Sequence, residues 1–178
     1  MKGVRFLLAG VCLLLLNACS VGRSHTPDSI LEEKFFQHEP EFEALLLEVQ
    51  ADEKLAMIRP HELTYAGRTL SSDNDFAEIE RLGLTRQRWA AYQRQLRDLG
   101  LAQINREDDG GVEFRVDQGS YSNGDSYKGY QYESGSLEHP KAGLDGYRIS
   151  ENDRHGSRGY YASKPLRGNW RLYLYVNG

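Results

Sequence analysis

The chain has 178 residues, with 22 Lys and Arg against 26 Asp and Glu, and a net charge of −4. That balance excludes a general nucleic-acid or anionic-membrane binder, because both need a basic surface. The length suits one domain with a sizeable core.

Lys2 and Arg5 open the chain. Residues 6–16 are apolar apart from Gly10 and include the run Leu13-Leu14-Leu15-Leu16. Asn17, Ala18 and Cys19 follow. A positive start, a short apolar stretch and a small residue before a cut are the parts of a secretory signal. The apolar stretch is too short to span a bilayer, which takes about 20 residues.

Leu16-Asn17-Ala18-Cys19 resembles the lipobox of bacterial lipoproteins, with Asn17 where Ala, Ser, Thr or Val is usual. The resemblance implies that residues 1–18 are a signal peptide, cut after Ala18. It also implies that the Cys19 thiol carries a diacylglyceryl group and that the new amine is acylated. Cys12 then leaves with the signal, and Cys19 is the mature chain's one cysteine. Lipidation consumes a thiol that would otherwise stand alone in an oxidising compartment. Losing the two positive charges of Lys2 and Arg5 takes the mature chain from −4 to −6. Ser20, in place of an Asp, points to the outer membrane, facing the periplasm. Residues 19–29 read as the lipidated cysteine and a polar tether. Its ten residues from Ser20 reach at most about 33–36 Å.

The domain is expected to cover residues 30–178. Ser29-Ile30-Leu31-Glu32 matches a capping box, which predicts a helix from Ile30 to about His38. Pro40 breaks it, kinks it or opens a second helix. Phe42, Leu45, Leu46 and Val49 give that stretch one apolar face. Its many acidic residues read as a solvated face or a surface for a basic partner. Ala56 to Arg59 and Leu63 to Ala66 suit short strands, and residues 71–75 a polar loop. Thr85 suits the cap of a helix running from about Arg86 to Leu99 and ended by Gly100. Trp89, Tyr92, Leu96 and Leu99 share its inner face. Its arginines Arg86, Arg88, Arg94 and Arg97 suit pairing with the acidic helices, solvation, or a phosphate or carboxylate group.

After Gly100 the period changes to two. Residues 102–104 and 112–116 alternate around the turn residues Asp108-Asp109-Gly110-Gly111, a hairpin pattern. Further strands are expected at 127–133, 146–150, 159–163 and 170–176. Helices first and antiparallel strands later predict a single α+β domain, N-terminal helices packed on a C-terminal sheet.

Nine of the eleven tyrosines follow residue 120. In the last strand Trp170, Leu172, Leu174 and Val176 share one face, and Arg171, Tyr173 and Tyr175 the other. Tyr130, Tyr132, Tyr173 and Tyr175 are therefore the candidate aromatic face for a partner, since Tyr offers a rigid apolar body with a polar tip. Cross-strand pairing alone is the plainer reading of the same residues. Residues 128–132, 164–166, 168–170 and 172–173 also resemble small uncharacterised envelope proteins of Gram-negative bacteria. No activity follows from that resemblance.

No G-x-S-x-G, H-E-x-x-H, Walker A or dinucleotide fingerprint is present. His25, His38, His61, His139 and His155 show no metal-ligand spacing, and no cofactor or metal is expected. The EF-hand echo from Glu151 fails at its twelfth position, Ala162. Ser126-Tyr127-Lys128 could be forced into a Ser–Lys dyad, but spacing alone carries almost no weight. The leading expectation is a non-enzymatic module tethered through Cys19 that binds an envelope protein or glycan. A glycan or peptide hydrolase working through paired carboxylates is the alternative. A small inhibitor-like protein recognised by a loop at 119–127 or 151–159 is a third.

Overall fold

Apolar residues that alternate along short strands need a sheet with one covered face, and amphipathic helices supply the cover. A computed structural model describes residues 25–71, 75–107, 110–121, 124–133, 140–147, 154–155 and 159–177. Among them are helices α1 (Asp28–Gln37), α2 (Glu39–Ala51), α3 (Phe76–Leu82) and α4 (Arg86–Asp98). The strands are β1 (Leu55–Ile58), β2 (Glu62–Tyr65), β3 (Arg68–Ser71), β4 (Gln103–Arg106), β5 (Val112–Tyr121), β6 (Gly124–Tyr132), β7 (Arg154–His155), β8 (Gly159–Pro165) and β9 (Trp170–Asn177). They form one antiparallel sheet in the order β3-β2-β1-β4-β5-β6-β9-β8-β7. The expected α+β class holds. Strands β1 and β2 stand within a residue of where the sequence pattern suited them, and β3, which was not foreseen, extends the sheet beyond them.

Cross-strand partners share a face, and the register makes the two faces explicit. Leu70, Leu63, Ile58, Ile104, Phe114, Tyr130 and Leu172 line up across seven strands. All seven are buried. The neighbouring row on the other face runs Thr69, Thr64, Met57, Asn105, Glu113, Gln131 and Arg171. It is polar except for Met57.

The helices cover the first face. Phe35 of α1 and Phe42 of α2 pack against Tyr130 and Trp170, with ring centroids 4.7–6.0 Å apart. Phe114 completes the cluster. Trp89, Tyr92 and Leu96 of α4 join the same core. Each such side chain, fully buried, contributes about 1.5–3 kcal/mol. Thr85 caps α4 as expected, its Oγ1 accepting the Arg88 N–H at 3.2 Å. Gly100, at φ +57°, closes that helix. Pro40 lies in the first turn of α2, where a missing N–H costs nothing. Among the described residues no helix is long and apolar enough to cross a membrane.

Three expectations about local structure need correction. Ser29 makes no capping box: α1 starts at Asp28, preceded by Pro27, with no side-chain cap of its own. The Asp28 N–H instead donates to both oxygens of Asp145, at 2.9 and 3.0 Å, so the cap comes from across the fold. Helix α3 was not foreseen in the mixed pattern of residues 54–84. The strand expected at 146–150 is absent at Gly146 and Tyr147, and 148–150 lie outside the described residues.

Strand β5 carries a bulge between Arg115 and Asp117. Before it, even-numbered residues face the helices. After it, Asp117 pairs with Lys128 and Gly119 with Ser126, so odd-numbered residues do. A bulge re-aims side chains in this way, bends the strand and increases its local twist. Gly129 lies opposite. A Cβ there would meet the Phe114 carbonyl oxygen inside contact distance and Arg115 Cα at 3.0 Å. Gly67, by contrast, has open space but a φ of +74°. Gly129→Ala is therefore expected to cost about 3 kcal/mol, and Gly67→Ala about 1 kcal/mol. Urea unfolding midpoints check this, and equal costs would rule out the close approach at the bulge.

Candidate functional site

The bulge places Asp117 on the helix side, where the start of the described chain meets it. His25 Nδ1 pairs with Asp117 Oδ1. His25 Nε2 lies 2.8 Å from Ser126 Oγ. The Thr26 N–H donates to Asp117 Oδ2 at 2.6 Å. Gly119 makes room: a Cβ there would lie 3.0 Å from the His25 ring and from Ser126 Oγ. Burial pushes the Asp117 carboxyl up, but the bonds from His25 and Thr26 outweigh it and hold it below the ordinary range.

Asp117, His25 and Ser126 thus have the connectivity of a nucleophilic triad. Three features of the site speak against that chemistry. Ser126 is fully buried. Its strand is interior, with Gly119 on one side and Val176 on the other, so its backbone serves the ladder rather than an oxyanion. The ring that would act as base also packs directly against the serine. Moving that cover away removes the base. The arrangement works as a latch holding residues 25–26 on the sheet. It was invisible in sequence because its members are 92 and 101 residues apart.

Beside the latch lies Lys128, its side chain 2% exposed. The Lys128 ammonium donates to the Thr26 carbonyl and to Asp145 Oδ1, both at 2.8 Å. It lies 2.7 Å from Asp28 Oδ1. Asp28 Oδ2 accepts the Leu144 N–H at 2.6 Å. Lys164 pairs with Glu32 and lies 3.9 Å from Asp28. Burial raises the Asp145 carboxyl, and the bonds from Lys128 and the Asp28 N–H more than reverse this. The Glu32 contact raises Lys164. Ser126 and Lys128 share a face, but each is committed to other partners, so they form no dyad. Asp28 and Asp145 converge on a lysine between them, which is not the open carboxylate pair that glycoside hydrolysis needs.

The four candidate tyrosines do not form one surface. Tyr130 is in the core, and its hydroxyl donates to the Leu31 carbonyl at 3.0 Å. Tyr132 is on the same side, with its ring edge against Trp170 at 5.4 Å. Tyr173 and Tyr175 point the opposite way, because they pair with Gly129 and Tyr127 rather than with Tyr130 and Tyr132. Even and odd numbers on neighbouring strands set this parity, and the register that sets it is not written in either strand alone.

On the helix-free face Arg115 stacks over Tyr127 at 3.7 Å, and Tyr127 stacks on Tyr175 at 6.4 Å. Tyr161 stacks on Tyr173 at 6.1 Å and bonds Gln131. The ring faces are thus largely spent on each other, while Tyr127 and Tyr175 stay half-exposed. Tyr173 is fully buried, and its hydroxyl lacks a hydrogen-bond partner among the described residues. Burial pushes the hydroxyls of Tyr161 and Tyr173 upward. Arg59 donates to Gln103 at 2.8 Å, and Asn105 to Glu113 at 3.0 Å. Arg171 pairs with Glu133. Three arginines, Arg59, Arg115 and Arg171, meet three glutamates, Glu62, Glu113 and Glu133, on this face, and Asp125 adds an exposed carboxylate to it.

The acidic helices mostly grip their own fold. Glu32 holds Lys164, Glu39 holds Arg167 at 2.7 Å, and Glu43 accepts the Trp170 indole N–H at 2.6 Å. Arg88 of α4 lies 3.4 Å from Asp52, and Arg86 3.5 Å from Glu80. Among the described residues no His, Cys, Asp or Glu cluster suits a metal. The expected loop at 119–127 is largely the strands of the β5–β6 hairpin. Most of 151–158, which carries the EF-hand echo, and His139 lie outside the described residues.

Asp117 and Asp145 are both held below the ordinary carboxylate range. Their stabilisation is complete above that range and is lost as pH falls through the depressed values. Stability is expected to decline from about pH 5 downward, and Asp117→Asn and Asp145→Asn to flatten that decline. Asp145 is 53% exposed, so its share is the smaller one. Unfolding midpoints across pH check this, and unchanged slopes in both variants would contradict it. Compared with known protein families, with curated proteins and with solved structures, the chain matches none of them.

Proposed function

We propose that the chain is a lipoprotein of the bacterial envelope, fixed to the outer membrane through Cys19 and facing the periplasm. Its domain acts as a non-enzymatic interaction module. The observation that carries the reading is the latch. His25 is six residues beyond Cys19 and is already built into the sheet. The tether is therefore shorter than the expected residues 19–29. Six Cα steps reach at most about 20–22 Å. A lipid on Cys19 would couple the membrane to a rigid domain almost directly. Two or three acyl chains hold durably, because each buried CH₂ contributes roughly 0.8 kcal/mol.

The contact surface is the helix-free face around Gln118, Tyr127 and Tyr175. Its arginines are paired with glutamates and Asp125 adds a negative charge, which disfavours nucleic acid and suits an envelope protein or glycan. Its ring faces stack on Arg115 and on each other, which leaves little ring face for a stacking ligand. The hydrolase reading has one foothold, the Asp117–His25–Ser126 connectivity, and the burial of Ser126 weighs against it. Cys19→Ser is expected to abolish labelling by a radioactive fatty acid and to move the protein from the membrane to the soluble fraction. Unchanged labelling and fractionation would sink the anchor.

A further inference from the structure

We infer that the latch orients the domain, so that the β5–β6 hairpin end of the sheet faces the lipid headgroups of the membrane that holds Cys19. The inference rests on the lipid anchor proposed above. Its source is where the described chain begins. His25 packs against Gly119 and Ser126, near the hairpin turn. Val176 continues that row on β9. Trp170 and Tyr132 form the row at the opposite end, six residues along β9. At about 3.3 Å per residue the two rows are about 20 Å apart.

The chain from Cys19 to His25 spans at most about 20–22 Å, close to the separation of the two rows. A domain on a loose tether would tumble. Here the first described residue is fixed by Asp117, Ser126 and, next along the chain, the Thr26 bonds to Asp117 and Lys128. Turning the opposite end to the membrane would require the short tether to run back along the whole sheet. The end that faces the bilayer carries Gln118, Asp125, Tyr127 and Tyr175. Tyrosines with polar tips suit the headgroup layer. The helix-free face then stands roughly upright, with its Arg115–Tyr127–Tyr175 tier nearest the lipid.

The test uses the full lipidated chain in vesicles of phosphatidylethanolamine and phosphatidylcholine with a headgroup-linked energy acceptor. Lipidation consumes Cys19, so Gln118→Cys and Asn169→Cys each give one labelling site. Both positions are exposed and lie toward opposite ends. Energy transfer is expected to be severalfold stronger from position 118 than from 169. Inserting twenty Gly and Ser residues between Ser24 and His25 is expected to erase the difference. A protein that floats with the vesicles but transfers equally from both positions overturns the orientation alone. A difference that survives the insertion overturns the role of the latch. A protein that does not float with the vesicles overturns the anchor, and the orientation with it.

Discussion

The fold turns on one buried ammonium. Lys128 projects from β6, an interior strand of the sheet, into space that the helices close, and a lone charge there would cost several kcal/mol. The structure answers with Asp28, Asp145 and the Thr26 carbonyl. Those groups come from two distant stretches of chain. Asp28 starts α1, Asp145 belongs to the segment before β7, and Thr26 to the residues leading in from Cys19. Neutralising one lysine therefore gathers the entry of the chain, the first helix and a distant loop onto β6. Removing one partner from such a buried pair typically costs about 3–5 kcal/mol.

The same requirement explains the helix start. A capping box at Ser29 was the natural reading of the local sequence, yet Asp145 supplies the cap from 117 residues away. The carboxylate that neutralises Lys128 also satisfies the first helical N–H, so the local signal lost to a charge that had to be placed. Asp117 follows a similar logic. It reaches His25 and Thr26 only because the bulge shifts its strand's parity. Gly119 and Gly129 are the two positions where that arrangement leaves no room for a side chain.

Much of the architecture was legible because it depends on local rules. The Thr85 cap, the Gly100 stop, the 112–116 hairpin arm and the alternation of Trp170 to Val176 all appear as the sequence implies. The candidate face was only partly legible. Tyr173 and Tyr175 were placed together correctly by strand alternation. Tyr130 and Tyr132 were joined to them although cross-strand register turns them to the core. The acidic stretch of α1 and α2 read as a solvated or partner-binding surface. In the fold, Glu32, Glu39 and Glu43 clasp the β8–β9 hairpin. Long-range pairing of this kind leaves no trace in spacing.

For the anchored reading, the consequence is mechanical. A lipid at Cys19 would pull on residues that are hydrogen-bonded into the sheet, not on a slack tail. Amide hydrogen exchange at Thr26 and Asp28 tests this most directly. The two N–H groups donate to Asp117 and Asp145, so protection approaching that of the β6 amides is expected. Exchange at the rate of an unstructured chain would contradict the latch and the coupling built on it.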